Sequence, residues 1–318
     1  MYGEKKNILL ITFDNWGYNQ YIANALEQKS YNVKHVNFHN FEYIYPDFTH
    51  KAFNFVTKNL GIINLKHIHY NEIIMDEIKY FDNVDTVIYI KADFLSKQTI
   101  EAINQKAKKS VLLINDSISR YPNTKNILDL FDKVFSFEKK DCEKYDLIFK
   151  PNFIYKTIDT VTTHFKYKVF NISSYDKRFP AIKKIAESLY KLKLKSKIII
   201  FSSKENTDPY LEFSKCTLSI SDINRMMEES EMILDVNRNQ QEGLSFRVFE
   251  SLGLKKKLIT TNPDIMTYDF YNPENIFVIE DIENIEIPQS FLKKPYTDIP
   301  QDILDKYLVE NWVDDLVK

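Results

Sequence analysis

The sequence predicts an α/β protein built from two doubly wound domains that face each other across a cleft. At 318 residues the chain is longer than most single domains and suits two of ordinary size. Short apolar runs alternate twice with segments of helical spacing, an order that favours parallel sheets covered by helices. A polar stretch at 151–164 separates the two series. We therefore expect a first domain at 1–155, a second at 165–300, and a C-terminal helix at 301–318 that packs back on the first domain.

The first series begins with an apolar run at 8–13, which is typical of a buried parallel strand. Apolar residues at helical spacing follow from Tyr21, and further helices are predicted around Ile100 and at 127–131. The other strands of this series are predicted at 33–38, 86–90, 111–114 and 134–137.

The segment at 41–69 interrupts this order, because aromatic residues are interleaved there with lysines. We expect a loop followed by an amphipathic helix whose aromatic face packs on the core, as aromatic stripes usually do. The alternative is that this face docks on a membrane or on an acceptor. The residues concerned are Tyr43, Tyr45, Phe48, Phe53 and Phe55, with Lys51, Lys58 and Lys66.

The second series repeats the same order. Its helices are predicted at 181–192, 243–252 and 303–316. Its strands are predicted at 169–173, 198–201, 232–236, 258–261 and 276–279.

The charge and cysteine content exclude several classes of protein. A formal net charge of −2 argues against a dedicated nucleic-acid binder, which usually carries a basic excess. The only two cysteines, Cys142 and Cys216, lie far apart, which argues against a disulfide framework or a metal cluster. We see neither a signal peptide nor an apolar run long enough to span a bilayer. We therefore expect a cytoplasmic protein whose membrane contact, if any, is peripheral.

Several catalytic motifs are missing. The chain has no Gly-x-Gly-x-x-Gly, no P-loop, no Gly-x-Ser-x-Gly and no His-Glu-x-x-His. It also has no Asp-x-Asp triplet, which commonly holds a divalent metal on a sugar diphosphate. These absences disfavour the usual dinucleotide oxidoreductases, P-loop enzymes and metal-dependent sugar transferases.

The most informative segment is EGLSFRVFESLGLKKKLITTN at 242–262, in which Glu242 and Glu250 are separated by seven residues. Eight positions along a helix is a little over two turns, so both carboxylates can face the same side. Gly243 near the helix start lets the backbone approach a ligand, and free amides there favour a phosphate. Arg247 adds a cation, and Glu250 can accept hydrogen bonds from two ribose hydroxyls. The alternative is an amphipathic helix capped by Glu242, with Glu250 solvated.

This segment resembles the Glu-x7-Glu signature in the second domain of GT-B glycosyltransferases, a fold of two Rossmann-like domains. More narrowly, the chain is similar to a bacterial family of lipopolysaccharide or capsule biosynthesis glycosyltransferases and to CgeB-like spore-maturation proteins. The resemblance covers nearly the whole chain. Its matching pieces are FDNWGY at 13–18, DSISRY at 116–121, FDKVFSFEKKD at 131–141, SSYDKR at 173–178, ILDVNR at 233–238, 243–252 and YDFYNPEN at 268–275.

The chain departs from that family at two places. The family often has a glycine immediately before Ser173, where this chain has Ile172. It also often has a glycine within the segment occupied here by Leu254 and Lys255. The approach of a phosphate near Ser173 is therefore expected to differ in detail.

The resemblance implies that the second domain binds a nucleotide-sugar donor, with Glu250 gripping the ribose and Glu242 near the donor sugar. Lys177 and Arg178 follow a strand and are candidates to bind the diphosphate, as is Arg247. In the alternative, the first two merely start a helix, Asp235 merely ends a strand, and Arg247 pairs with Glu250 on the surface. The predicted donor site is completed by Ser173, Gly243, Asp235 and Arg238.

The first domain is then expected to hold the acceptor. Asp14 and Asp116 each follow a predicted strand, and either could act as a base toward an acceptor hydroxyl or cap the next helix. The predicted acceptor-binding residues are Trp16, Gly17, Ser119 and Arg120.

The sequence thus predicts a metal-independent glycosyltransferase without a cofactor, with UDP favoured as the donor nucleotide and retention favoured at the anomeric carbon. The expected acceptor is a glycan or a lipid-linked molecule of surface polysaccharide biosynthesis, and no nucleic-acid partner is expected. Two alternatives stay open. One is a nucleotide-sugar epimerase or phosphorylase on the same fold, and the other is a non-catalytic scaffold of envelope assembly.

Overall fold

The computed structural model describes residues 5–62, 64–158 and 164–318, and the chain divides into two compact units. The first unit comprises Met1–Lys150 together with Val313–Lys318, and the second comprises Pro151–Trp312. Residues 151–155, which the sequence prediction placed in the first domain, group with the second unit. Residues 159–163 of the predicted join lie outside the described residues.

Each unit contains a parallel sheet with helices, so the predicted α/β fold with two doubly wound domains is confirmed. Each strand predicted from the sequence is present, with its ends shifted by at most two residues. The strands at 148–149 and 212–214 were not predicted, because two or three residues carry too little apolar periodicity to read. The helices at 220–228 and 289–293 of the second unit were not predicted either.

The sheet of the first unit has the strand order β2-β1-β3-β4-β5-β6 among the described residues. Parallel pairing joins β1 to β2 on one side and to β3 on the other. Its strands are β1 (Asn7–Thr12), β2 (Asn32–Asn37), β3 (Val84–Ile90), β4 (Ser110–Ile114), β5 (Lys133–Ser136) and β6 (Ile148–Phe149). Its helices before residue 150 are α1 (Tyr18–Gln28), α2 (Phe48–Asn59), α3 (Leu65–Glu77), α4 (Lys97–Asn104) and α5 (Lys139–Tyr145).

The central strands of this sheet are buried on both faces, which explains their continuous apolar runs. Leu9, Val87 and Leu112 lie in one buried cluster with Ile100 of α4. The helix predicted at 127–131 is wrong, since the chain there forms only short 3-10 turns.

The prediction that the aromatic residues of 41–69 pack on the core is also wrong for the helix itself. Phe48, Phe53 and Phe55 on α2 are exposed. The residues that α2 buries are Asn54 and Thr57, so the helix turns its polar side inward.

The sheet of the second unit has the strand order β12-β11-β10-β7-β8-β9 among the described residues. Its strands are β7 (Tyr167–Ser174), β8 (Ser196–Phe201), β9 (Glu212–Ser214), β10 (Ser230–Asp235), β11 (Lys257–Thr260) and β12 (Ile276–Val278). Its helices are α6 (Phe179–Lys191), α7 (Ile220–Glu228), α8 (Phe246–Gly253), α9 (Gln289–Lys293), α10 (Gln301–Leu304) and α11 (Val309–Trp312).

The single C-terminal helix predicted at 303–316 is wrong. The chain instead forms α10, α11 and α12 (Asp314–Val317), and only the last lies in the first unit. The cause is a backbone bridge in which the amide of Ile154 donates to the carbonyl of Tyr307, and the amide of Val309 donates to the carbonyl of Ile154. These bonds occupy the carbonyl of Tyr307 and the amide of Val309, which a continuous helix would bond within itself.

In each sheet, the strand that comes first along the chain lies in the interior of the sheet. The next strand or strands are added on one side of it, and the later strands are added on its other side. In the second unit, β7 pairs with β8 on one side and with β10 on the other. In the first unit, β1 lies between β2 and β3. In open parallel sheets, ligands bind outside the carboxyl ends of the strands at such a switch point. No helix in the described ranges has the length and apolarity needed to cross a bilayer.

Candidate functional site

The switch point of the second unit carries two arginines around one aspartate. Arg178 follows β7 and donates to Asp176 from Nε at 3.0 Å and from Nη2 at 2.8 Å. Arg238 follows β10, and its Nη2 lies 3.7 Å from the same carboxylate. Burial raises the pKa of Asp176, but the hydrogen bonds and charge of Arg178 hold it below its usual value. The cluster therefore places two guanidinium groups around one carboxylate at the carboxyl ends of β7 and β10.

Arg178 also binds the backbone of the neighbouring strand. Its Nη1 donates to the carbonyl of Val236 at 3.2 Å, immediately after β10. A guanidinium held by a carboxylate and a carbonyl has a fixed orientation, which suits recognition of a doubly charged oxyanion.

Helix α8 begins a few residues after Arg238, and a buried carboxylate holds its first turn in place. Asp235, the last residue of β10, accepts from the hydroxyls of Ser245 at 2.6 Å and Thr260 at 2.9 Å. Ser245 is the N-cap of α8, and its hydroxyl accepts from the amide of Arg247 at 3.2 Å. Burial raises the pKa of Asp235. Through these two bonds Asp235 holds the start of α8 against the end of β11.

The prediction that Glu242 and Glu250 share one helix is wrong. The cap at Ser245 makes α8 begin at Phe246, so Glu242 and Gly243 lie in the preceding loop. Glu242 is half-buried, and its carbonyl accepts from Asn262 Nδ2 at 3.1 Å. Only Glu250 lies on the helix.

Glu250 is buried in a polar network rather than solvated. Its Oε2 forms an ion pair with Arg247, whose side chain is 15% exposed against 1% for Glu250. Its Oε1 is 2.6 Å from the hydroxyl of Tyr155, which also lies 2.8 Å from Asn224 Oδ1. The hydroxyl has one hydrogen, and a carboxylate is the stronger acceptor, so Tyr155 donates to Glu250.

Sequence reasoning missed Tyr155, Asn224 and Asp176. Tyr155 was assigned to the first domain, and Asn224 lies on α7, a helix that was not predicted. Asp176 stood inside the quoted segment SSYDKR, between a predicted strand and the two cations, and that position was its signal.

The remaining residues predicted to bind the donor are Lys177, Ser173 and Gly243, and they differ in burial and in location. Lys177 is exposed beside Arg178 at the start of α6. Ser173 is buried at the end of β7, and its hydroxyl donates to Asn171 Oδ1 at 3.0 Å. Gly243 is buried in the loop before α8.

In the first unit, Asp14 has the alternative role of a helix cap. Its Oδ1 accepts from the amides of Trp16 and Gly17 at 2.9 Å, and its Oδ2 accepts from the amide of Asn19 at 2.6 Å. These three bonds satisfy donors at the start of α1 that would otherwise lack partners. Gly17 has φ +89°, a conformation that glycine adopts without strain. The side chain of Trp16 is half-exposed.

Asp116 lies after β4 and pairs with Arg120, whose Nη1 is 2.9 Å and 2.8 Å from its two oxygens. Ser119 and Arg120 are both exposed. Tyr121 lies beneath two cations, with Lys91 Nζ 4.2 Å and the Arg120 guanidinium 5.2 Å from its ring centroid.

Asp93 was not predicted, yet its carboxyl group lies in a strongly perturbing environment at this edge of the sheet. It follows β3, and burial raises its pKa, with Lys91 opposing and Asp116 adding to the shift. Lys91 has φ +71°, a conformation that costs a non-glycine residue free energy. Burial and the neighbouring carboxylate both disfavour the charged form of Asp93.

An open cavity of about 710 Å³ lies between α2, α3 and the loop that follows β3. Its lining includes the apolar side chains of Ile62, Ile68, Phe94 and Leu95 as well as polar ones. The polar lining residues are Lys58, Asn64, His67, Asn71, Glu72, Ser96 and Asn123. Across the three described ranges, no three His, Cys, Asp or Glu residues are grouped closely enough to hold a metal ion.

The chain is similar to solved glycosyltransferase structures along nearly its whole length. It shares 11% identity and a TM-score of 0.52 with HepE from Anabaena, solved in complex with UDP and glucose, covering 99% of this chain and 98% of that one. It shares 12% identity and a TM-score of 0.50 with a glycosyltransferase from Rickettsia africae, covering 99% and 94%. No family model and no curated protein sequence matches the chain. At these identities the likeness shows the fold, which is the two-domain GT-B fold.

Proposed function

We propose that this chain is a glycosyltransferase that takes a sugar from a nucleoside-diphosphate sugar bound at the switch point of its second unit. The observation that carries the proposal is the pairing of Arg178 and Arg238 around Asp176 where β7 and β10 end. A diphosphate needs fixed cations and helix amides in that position. UDP is the favoured nucleotide, and the ligand of the Anabaena protein supports that choice.

In the proposed reaction, the bond between the anomeric carbon and the diphosphate oxygen breaks, and a bond to an acceptor oxygen forms. Arg178, Arg238 and the start of α8 stabilise the charge on the departing diphosphate, which is usually the largest electrostatic contribution. These cations make a metal unnecessary for that step. Retention at the anomeric carbon is favoured by the resemblance of Glu242 and Glu250 to the Glu-x7-Glu signature.

Glu250 is proposed to bind the ribose hydroxyls, with Arg247 as the residue that orients its carboxylate. Both oxygens already accept hydrogen bonds, so a ribose hydroxyl would replace Tyr155 at Oε1. Glu242, in the loop before α8, is proposed to lie near the donor sugar. Lys177 is a further candidate for the phosphates.

The acceptor is proposed to bind the first unit at the carboxyl ends of β3 and β4. Asp116 or Asp93 would accept the proton of the acceptor hydroxyl, and the pKa of Asp93 is already raised toward the range that suits a base. Trp16, Ser119 and Arg120 are candidates to contact the acceptor. A glycan or a lipid-linked molecule of surface polysaccharide biosynthesis suits the part-apolar, part-polar cavity beside β3.

The test is a thermal-shift screen with UDP, GDP, CMP, ADP and their common sugar conjugates, with and without EDTA. A ligand selective for the folded state stabilises it by mass action, so one nucleotide should raise the melting temperature in the presence of EDTA. Its sugar conjugate should then release the free nucleoside diphosphate only when an acceptor is present. Turnover of the sugar without an acceptor would favour an epimerase or phosphorylase, and no shift with any nucleotide would favour a scaffold.

A further inference from the structure

Helix α2 of the first unit has its apolar side facing solvent. Phe48 is 80% exposed, Phe55 is 68% exposed, and Leu60 directly after the helix is 67% exposed. The two residues that α2 buries are polar, with Asn54 at 4% and Thr57 at 8% exposure. An ordinary surface helix has the opposite arrangement.

Hydrogen bonds hold this orientation in place. Asn54 Nδ2 donates to the hydroxyl of Tyr45 at 2.7 Å, and Asn54 Oδ1 accepts from the amide of Leu65 at 2.7 Å. The Thr57 hydroxyl donates to the carbonyl of Phe53 at 2.9 Å. The Thr57 bond lies within the helix, whereas turning the apolar side inward would break both bonds of Asn54 to neighbouring segments and leave the amide of Leu65 without its acceptor.

The apolar surface extends beyond the helix on both sides. We call this set the α2 patch, and its members are Ile44, Phe48, Phe53, Phe55, Val56, Leu60, Ile62 and Ile68, each at least 46% exposed. Single exposed apolar residues are normal on a protein surface. A group of eight within one segment of the chain, at 44–68, marks an interaction surface.

The charge of this segment selects the partner. Between 44 and 71 the segment contains one acidic residue, Asp47, whose carboxylate caps α2, although the whole chain has 45 aspartates and glutamates. It carries Lys51, Lys58 and Lys66, all of which are exposed. Two copies of such a surface would repel each other, so a second copy of this chain fits poorly. Exposed phenylalanines and three lysines beside a single acid complement a surface that is apolar below and negative above.

We propose that the α2 patch docks on an anionic lipid bilayer, with Phe48 and Phe55 inserted at the boundary of headgroups and acyl chains. The lysines then lie at the level of the lipid phosphates. This inference goes beyond the proposed sugar transfer and does not depend on it.

The test is co-sedimentation of the full chain with lipid vesicles. We expect binding to vesicles of phosphatidylcholine with about one-third phosphatidylglycerol, and much weaker binding to phosphatidylcholine alone, because each lysine near the surface contributes about fivefold. Raising the salt concentration should weaken binding, since screening shortens the reach of the lipid charge.

Two variants and one control make the test specific. F48S/F55S should lower the partition coefficient by about tenfold or more, since two large apolar side chains no longer insert. K51Q/K58Q should remove most of the preference for phosphatidylglycerol. Tyr190→Ser, which changes an exposed aromatic residue on α6 in the second unit, should bind like the parent chain.

Equal binding by the parent chain and F48S/F55S would overturn the proposal, as would no binding to anionic vesicles at low salt. A dimer in solution that F48S/F55S converts to a monomer would assign the patch to a second copy instead. All substituted side chains are exposed, so the variants should melt like the parent chain. The nucleotide-induced shift in melting temperature should be unchanged in the vesicle-binding variants, which separates this inference from the proposed function.

Discussion

Glu250 and Arg247 form an ion pair that is almost fully buried, and this makes their removal costly. Glu250→Ala leaves the guanidinium of Arg247 buried beside an empty space, and we expect a loss of about 3–5 kcal/mol of unfolding free energy. The double variant R247M/E250L replaces both charges by apolar groups of similar size and should be closer to the parent chain. Urea unfolding of the single and double variants measures the difference. Equal losses in both would contradict the burial of this pair.

Tyr155 should act through Glu250 rather than through packing alone. Tyr155→Phe removes only the hydroxyl that donates to Glu250 Oε1, so we expect about 1 kcal/mol less stability and an unchanged fold. If a ribose hydroxyl takes the place of Tyr155, nucleotide affinity in this variant should be nearly that of the parent chain. Calorimetric titration with UDP checks this, and a large loss of affinity would assign Tyr155 to the ligand itself.

Lys256 provides a pH-dependent prediction. Its side chain is buried, its Nζ donates to the carbonyl of Glu228 at 2.8 Å, and burial lowers its pKa from 10.5 to about 8. Between these two values the unfolded chain binds more protons than the folded chain, so the free energy of unfolding should rise with pH. The slope for one proton is at most about 1.4 kcal/mol per pH unit.

The control is Lys256→Met, because other lysines and tyrosines also titrate in this range. The difference in unfolding free energy between the parent chain and this variant should change in favour of the parent as the pH rises from 8 toward 10. Parallel pH curves for the two proteins would contradict the assigned burial of the amine.

At the scale of the element, the position of α8 depends on its last residue. A Cβ atom added to Gly253 would lie 2.1 Å from the carbonyl oxygen of Lys156 and 2.6 Å from Cγ2 of Ile154. The amide of Ile158 also donates to the carbonyl of Gly253 at 3.1 Å. The chain at 154–158 therefore lies directly against the end of the helix that carries Glu250.

We expect Gly253→Ala to destabilise the second unit by about 3 kcal/mol, since backbone must move to relieve the overlap. In an exposed helix the same substitution stabilises by up to about 1 kcal/mol, so the sign of the effect is diagnostic. Thermal unfolding followed by circular dichroism measures it. A melting temperature equal to or above that of the parent chain would contradict the close approach.

The elements that could be predicted from sequence are those with strong apolar periodicity. The central strands, such as β1, β3 and β10, were predicted because strands buried on both faces read as continuous apolar runs. The periodicity of α2 correctly indicated a helix. The side that faces the core was predicted wrongly, because a sequence pattern does not say which side of a helix is buried. The predicted start of α8 was wrong because the helix begins at the cap Ser245. The hydroxyl of Ser245 is held by Asp235 at the end of β10, and sequence periodicity does not reveal that contact.

At the scale of the whole molecule, two parallel sheets with switch points place the predicted residues at carboxyl ends of strands, as the sequence indicated. The order of elements sufficed for that inference. It could not show that Asp176 joins Arg178 to Arg238, since residues 178 and 238 are brought together only when β7 pairs with β10. It also could not show that Asp14 serves as a cap, because that role depends on the local backbone of residues 16–19.

The central claim is that the cations at the second switch point bind a nucleoside diphosphate. The most direct measurement is calorimetric titration of UDP into the parent chain, into Arg178→Ala and into Arg225→Ala. Arg225 is a matched control, because it is an exposed arginine paired with an aspartate in the same unit, on the helix that leads into the amino end of β10. We predict that Arg178→Ala weakens binding by about tenfold or more, as the loss of a charge-assisted hydrogen bond implies, while Arg225→Ala leaves it unchanged. Equal affinities in all three proteins, or no binding of any nucleoside diphosphate to the parent chain, would contradict the account.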